Sequence, residues 1–354
     1  MYLHILIDNF YTSKFIDFVR QYFDSSSHVF VTFAHNSRYL NSNEVNKLEF
    51  LNIKHVRWLY KKMSEADLVF LHSTFCARSL LLLFLNQKCL SKTIWVLWGG
   101  DLYNYWLNDS HTIKERVLEK VRGSVIKRIA GVVALVKEDY EFAKEKYNTS
   151  AEYIYAFYPN PVDFSMLDTA SKEVCNRSER RILIGNSAAP TNNHLEILNA
   201  LARYRMENVE IICPLSYGPQ DYANKVQEYG LELFGNRFIA LREFLSPKEY
   251  AKLLSSVDVA IFAHRRQQAL GNILALLYLG KKVYVRSDIS TWSFLNRLGI
   301  KVFDAKAILD GLETDLFSLE EQVAVRNREI VRSEFSEDHC AQLWKNAFEF
   351  CRKP

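Results

Sequence analysis

The sequence predicts an α/β protein made of two consecutive doubly wound units, on three observations. Short, almost continuously apolar runs alternate with segments of helical period along nearly the whole chain, the pattern of parallel strands covered by helices on both faces. The alternation stops once, near the middle, and then restarts. At about 150 residues per domain, 354 residues also make two domains rather than one.

In the first half, strands are expected at 2–7, 28–33, 67–71, 93–97, 131–136 and 153–157, with helices near 12–23, 76–86, 111–130 and 138–147. Residues 159–180 carry an early pair of prolines, many polar residues and no period, and read as a linker between a domain at 1–158 and one at 181–335. Strands then follow at 181–185, 208–213, 237–241, 257–262, 282–286 and 300–303, and helices at 194–205, 219–230, 247–256, 271–280 and 290–298. The end of the chain, 336–354, reads as a helix whose Trp344, Phe348 and Phe350 must bury themselves, packing back toward the first domain. Two such sheets would face a cleft with their carboxyl ends, where ligands of this architecture bind.

Several function classes are excluded. A net charge of +4 is too small to announce a nucleic-acid partner. Six scattered cysteines without a C-x-x-C pair argue against zinc and against a disulfide framework, and for a reduced, cytoplasmic chain. MYLHILIDNF meets an Asp where the apolar core of a secretory leader would continue. The most apolar stretch, Leu80 to Leu85, falls far short of the about 20 residues of a membrane span. There is no G-x-x-x-x-G-K-[ST], no G-x-G-x-x-G and no G-x-S-x-G, which sets aside P-loop, dinucleotide and α/β-hydrolase readings. No D-x-D pair is present to carry a metal–nucleotide complex.

Chemistry-bearing residues stand just after strands. In ILIGNSAAPTNNH, Gly185, Asn186 and Ser187 form a small-residue loop leading to a helix. Such a loop suits a diphosphate, or simply makes a tight turn with Asn192 or Asn193 as helix cap. In AHRRQQALGN, Arg265 and Arg266 offer guanidinium forks to phosphate, and Gln267, Gln268 and Asn272 offer donors to sugar hydroxyls ahead of a helix beginning near Gly271. The plain alternative is a solvated arginine pair. In TIWVLWGGDLYNYW, paired glycines precede Asp101, a base candidate or a helix cap. His72 and Asp8 end two further strands and complete the set of base candidates; Tyr217 is a candidate nucleotide contact.

Together, WGGDLY (98–103), IGNSAAPTNNH (184–194) and RRQQALGN (265–272), with LHSTF (71–75) and CPLSYGP (213–219), resemble in order and spacing the blocks of the bacterial fucosaminyltransferases of enterobacterial common antigen synthesis. The resemblance implies a GT-B fold of two Rossmann-like domains, a dTDP-linked 4-amino-sugar donor and an acceptor oligosaccharide on undecaprenyl diphosphate. Ala188–Pro190 departs from the family's loop, so a different sugar or an O-antigen pathway fits as well. Many GT-B transferases clamp the ribose diol with a glutamate in the last donor-binding helix; Leu276 stands there, which suits a deoxyribose. Donor handling by Gly185, Asn186, Ser187, Arg265 and the helix dipole needs neither metal nor other cofactor. A non-catalytic nucleotide-sugar or glycan binder, or a sugar-nucleotide epimerase, is the alternative on the same fold.

Residues 111–131 hold six Lys/Arg against two Glu, with Val117, Leu118, Val121, Val125 and Ile129 expected on one helical face and Arg116, Lys120 and Lys127 opposite. Such a helix packs on a core or lies on an anionic membrane. With a lipid-linked acceptor, the expectation is peripheral attachment at the inner face of the inner membrane.

Overall fold

The computed structural model describes residues 1–33, 38–40, 44–108, 110–159, 163–173 and 177–350. The chain divides into two compact units, Met1–Asn160 with Glu337–Pro354, and Pro161–Ser336.

The first unit holds a seven-stranded, all-parallel sheet of β1 (Tyr2–Leu6), β2 (His28–Thr32), β3 (Asn46–Lys47), β4 (Leu68–His72), β5 (Thr93–Val96), β6 (Gly131–Ala134) and β7 (Glu152–Tyr155), in the order β3-β2-β1-β4-β5-β6-β7. The order reverses between β1 and β4, the point where such sheets open a crevice at their carboxyl edge. Asp8 and His72 follow or end these two strands. The helix Phe10–Tyr22 starts at Asn9, whose side chain accepts the Tyr11 N–H and closes a capping box with Thr12.

The second unit repeats the plan with β8 (Arg180–Ile184), β9 (Val209–Pro214), β10 (Phe238–Leu241), β11 (Val259–Phe262), β12 (Lys282–Val285) and β13 (Phe303–Asp304), ordered β10-β9-β8-β11-β12-β13 and again all parallel. Its switch point lies between β8 and β11. Ile182, Ile184, Ile211, Val259 and Ile261 are fully buried in its core, as continuous apolar strands require.

Some boundaries differ from the expectation. The expected linker contains a helix, Phe164–Lys172, capped by Asp163; Leu167 and Ala170 are buried, and Tyr278 donates to Asp168 at 3.0 Å. One turn of apolar spacing within a polar stretch is too weak to show in sequence. The helices Ile53–Glu65 and Gly100–Trp106 and the two-residue β3 were not foreseen. The final helix, Glu337–Phe348, belongs to the first unit, where Trp344 donates its indole N–H to the Phe157 carbonyl at 2.8 Å.

In the helix Ile113–Ile126 and just beyond it the expected apolar face is packed for most of its length: Val125 and Ile129 are buried, and Leu118 and Val121 pack against the core. Arg122 and Glu119 form a buried ion pair, with the Tyr147 hydroxyl also on Glu119, and Val125 and Ile126 lie beneath. Of the expected face only Val117, at its start, is exposed, as is the neighbouring Ile113. The ion pair lets charged residues join this packed face, which hydrophobicity alone does not foresee.

Candidate active site

In the second unit, β8 runs into Gly185 at φ +66°. A Cβ there would lie 2.5 Å from Asn192 Oδ1 and 2.8 Å from His194 Nε2, so only glycine fits this turn. Asn192 organises the loop. Its Oδ1 accepts the Asn186 backbone N–H and the His264 Nε2–H, both at 2.9 Å, and its Nδ2 donates to the Ala189 carbonyl. Burial, with the neighbouring His194 and Arg266, drives His264 down to about 3, which keeps it neutral and its tautomer set by this bond.

Around the loop a side-chain cluster forms. Gln268 donates to Asn186 Oδ1 at 2.9 Å, Asn186 donates to the Tyr217 hydroxyl at 2.6 Å, and Thr191 donates to Gln268 Oε1 at 3.1 Å. Gly185, Asn186, Ser187, Tyr217 and Gln268 are thereby brought together from the ends of β8, β9 and β11. Arg265 is pinned to the same loop through its backbone N–H to Thr191 and its Nε to Asn193 Oδ1 at 3.0 Å, and its guanidinium stays largely exposed beside Glu196. Gln267 lies between it and Gln268, and Arg266 donates to the Gln267 carbonyl. The helix Leu270–Tyr278, with Gly271 in its first turn, has no side-chain cap at its N-terminus. Its positive end is open to an anion.

The base candidates of the first unit are not alike. Asp101 is buried and holds three N–H donors: Oδ2 accepts the Thr74 N–H at 2.8 Å and the Trp95 indole N–H at 3.0 Å, and Oδ1 accepts the Trp98 N–H at 3.0 Å. It ties the ends of β4 and β5 together. Asp8 accepts the backbone N–H groups of Arg38, Tyr39 and Leu40 at 2.7 to 3.1 Å and organises that loop. His72 is fully buried, and burial alone brings it down to about 3. Its Nδ1 meets the Tyr158 hydroxyl at 2.5 Å and its Nε2 meets His4 at 3.0 Å.

The profile of the 4-alpha-L-fucosyltransferase family, glycosyl transferase group 56, matches residues 15–352. The chain belongs to this family. Its structure is similar to a glycosyltransferase from Rickettsia africae (15% identity, 99% of this chain and 98% of that one, TM-score 0.69) and to HepE from Anabaena in complex with UDP (14%, 99% and 99%, 0.71). WaaG, a glycosyltransferase involved in lipopolysaccharide biosynthesis, is similar at 10% identity over 99% of both chains with a TM-score of 0.62. These likenesses establish a GT-B fold of two Rossmann-like units, and the group 56 protein is a glycosyltransferase.

Three further sequence candidates of this group 56 enzyme have a defined environment. Leu276 is fully buried and has no surface to offer a ribose, because two turns into the helix its position faces the core. Asn272 donates to the Tyr250 hydroxyl at 3.0 Å. Asn193 stands at the N-cap position of the helix His194–Leu201, but its side chain makes no capping bond and donates to the Ala263 carbonyl instead. Sequence reasoning also missed Phe244, which stands 76% exposed after β10 and lies parallel to the Tyr217 ring, with centroids 6.0 Å apart and planes 8° apart. Two parallel aromatic faces can take a flat ring, a feature visible only once the fold brings Tyr217 and Phe244 together.

Proposed function

We propose that this group 56 glycosyltransferase moves a 4-amino- or 4-acetamido-dideoxyhexose from a dTDP-sugar to a lipid-linked oligosaccharide on undecaprenyl diphosphate, in common-antigen or O-antigen synthesis. The observation that carries the reading is the hydrogen-bonded cluster of Asn186, Tyr217 and Gln268 around the Gly185 turn, set beside Arg265 and an uncapped helix N-terminus in a chain of this family. Gly185, Asn186, Ser187, Arg265 and the Gly271 turn hold the diphosphate, and Tyr217 with Phe244 takes the base. Leaving-group charge is met by these fixed donors. Among the described residues, no three His, Cys, Asp or Glu side chains gather to hold a metal. HepE holds UDP in its complex and WaaG acts in lipopolysaccharide biosynthesis, in keeping with a nucleotide donor and a surface-polysaccharide product.

Among the described residues no helix is long and apolar enough to cross a membrane. The exposed Ile113 and Val117 share their helix with exposed Lys114, Arg116 and Lys120. Apolar tips ringed by lysine and arginine suit shallow insertion at an anionic surface, which supports peripheral attachment at the inner face of the inner membrane, where a lipid-linked acceptor is found.

The test is nucleotide release from dTDP- and UDP-sugars, with and without lipid-linked acceptor, in the presence of EDTA. Acceptor-dependent dTDP release is expected to proceed fully with EDTA. A strict need for a divalent cation refutes the mechanism, release without acceptor points to hydrolysis or epimerase chemistry, and a preference for UDP refutes the thymidine assignment.

A further inference from the structure

Three histidines line one face of the first sheet. In register, Tyr2 of β1 faces His28 of β2, and His4 faces both Phe30 of β2 and Phe70 of β4. With a side-chain period of two, His28, His4 and His72 therefore fall on the same face along a diagonal, from the start of β2 to the carboxyl end of β4. Their rings are bonded in series. His28 Nδ1 meets His4 Nε2 at 2.9 Å, His4 Nδ1 meets His72 Nε2 at 3.0 Å, and His72 Nδ1 meets the Tyr158 hydroxyl at 2.5 Å. Trp98 donates its indole N–H to the same hydroxyl at 3.1 Å. Phe15, Phe70, Trp344 and Phe348 pack on the rings.

A plain polar core does not require this order. Each histidine offers Nδ1 toward the Tyr158 end and Nε2 toward the His28 end, so one tautomer, Nε2–H on every ring, satisfies every bond with all rings neutral. Burial favours neutral rings: it holds His72 at about 3 and His28 at about 4, and His4 well below its ordinary value. His28 keeps 8% of its surface, which gives the array one wet end. Tyr158, only partly buried, follows β7 on the carboxyl side of the sheet. Its oxygen, donating to His72 and accepting from Trp98, retains one lone pair. Asp101 and Asp8 each hold three structural N–H donors, whereas the Tyr158 oxygen stands at the head of the bonded array.

We propose that Tyr158, His72, His4 and His28 form a proton relay that removes the proton of the acceptor hydroxyl during glycosyl transfer. The inference rests on the transfer reaction proposed above. As the acceptor oxygen bonds to the anomeric carbon and the carbon–oxygen bond to the diphosphate breaks, the acceptor proton passes to Tyr158 Oη. The Tyr158 proton moves to His72 Nδ1, the His72 Nε2 proton to His4 Nδ1, and the His4 Nε2 proton to His28 Nδ1. The His28 Nε2 proton leaves to water. Every ring ends neutral with its tautomer reversed, and proton exchange with water at the two ends resets the array. Tyr158 is the catalytic residue; the histidines are relay residues behind it.

The relay is tested at its wet end. His28→Ala is expected to lower kcat by about tenfold or more with KM for donor and acceptor nearly unchanged, and added imidazole, which fits the opened space, restores turnover in the variant but does nothing to wild type. A folded variant with wild-type kcat, or a loss that imidazole leaves untouched, overturns the relay. Nitrogen NMR of histidine-labelled wild type checks the array without any substitution: at about pH 7 all three rings are expected neutral with Nε2–H. An imidazolium or mixed tautomers among the three overturns it. Mixed tautomers in an enzyme that transfers sugar refute the relay alone, whereas a wild type that transfers nothing refutes the reaction on which it rests.

Discussion

Replacing Asp101 by Asn separates a chemical base from a structural carboxylate. In the best orientation the new amide keeps its oxygen at the Oδ2 position, where it still accepts from the Thr74 N–H and the Trp95 indole. The amide NH2 then replaces Oδ1 and confronts the Trp98 N–H, which bonds there at 3.0 Å in the wild type. One buried donor left without an acceptor costs about 1–3 kcal/mol, and the two retained bonds lose charge assistance worth about 1 kcal/mol each. The expected loss is therefore about 3–5 kcal/mol. In a unit of this size each kcal/mol moves Tm by about 2–4 °C, so a fall of about 10 °C is expected in a thermal melt followed by circular dichroism. Single-turnover kinetics below the melt should show a smaller defect than the about 10²–10⁴-fold loss of a missing base. A variant with unchanged Tm and a loss of that size would refute the structural assignment and restore Asp101 as the base.

Gly185→Ala puts a Cβ 2.5 Å from Asn192 Oδ1 on a backbone at φ +66°. The left-handed conformation costs about 1–2 kcal/mol and the overpacking about 1–3 kcal/mol, so calorimetry should show dTDP affinity reduced by about tenfold or more alongside a lower Tm; wild-type affinity would remove the turn from the donor site. Phe244→Ala, at a 76% exposed position, should leave Tm unchanged while weakening dTDP by about 1 kcal/mol or more; an unchanged Kd would exclude the Tyr217–Phe244 pair as base platform. His72 and His264, one in each unit, are lowered to about 3. The unfolded chain protonates them below about pH 6.5, so this stability is whole above that pH and is lost as pH falls toward 3, on the order of 3 kcal/mol per ring between about pH 7 and 4. A Tm that stays flat across that range would contradict neutral buried rings.

The sequence alone determined what is local. Apolar runs of strand length, interrupted by helical period, are written in neighbouring residues, and they placed most strands of both sheets and the residues that follow them, from Asp8 and His72 to Gly185 and Arg265. What a side chain does there depends on partners distant in sequence. Asp101 is occupied by Thr74 and Trp95, Asn192 by His264 72 positions away, and His72 by His4 68 positions away, pairings that exist only once parallel strands are in register. Leu276 reads equally well as a ligand contact or a core residue until the helix is rotated onto its sheet. The tertiary structure decided these questions because burial and hydrogen-bond occupancy, unlike periodicity, are properties of the packed molecule and not of any stretch of chain.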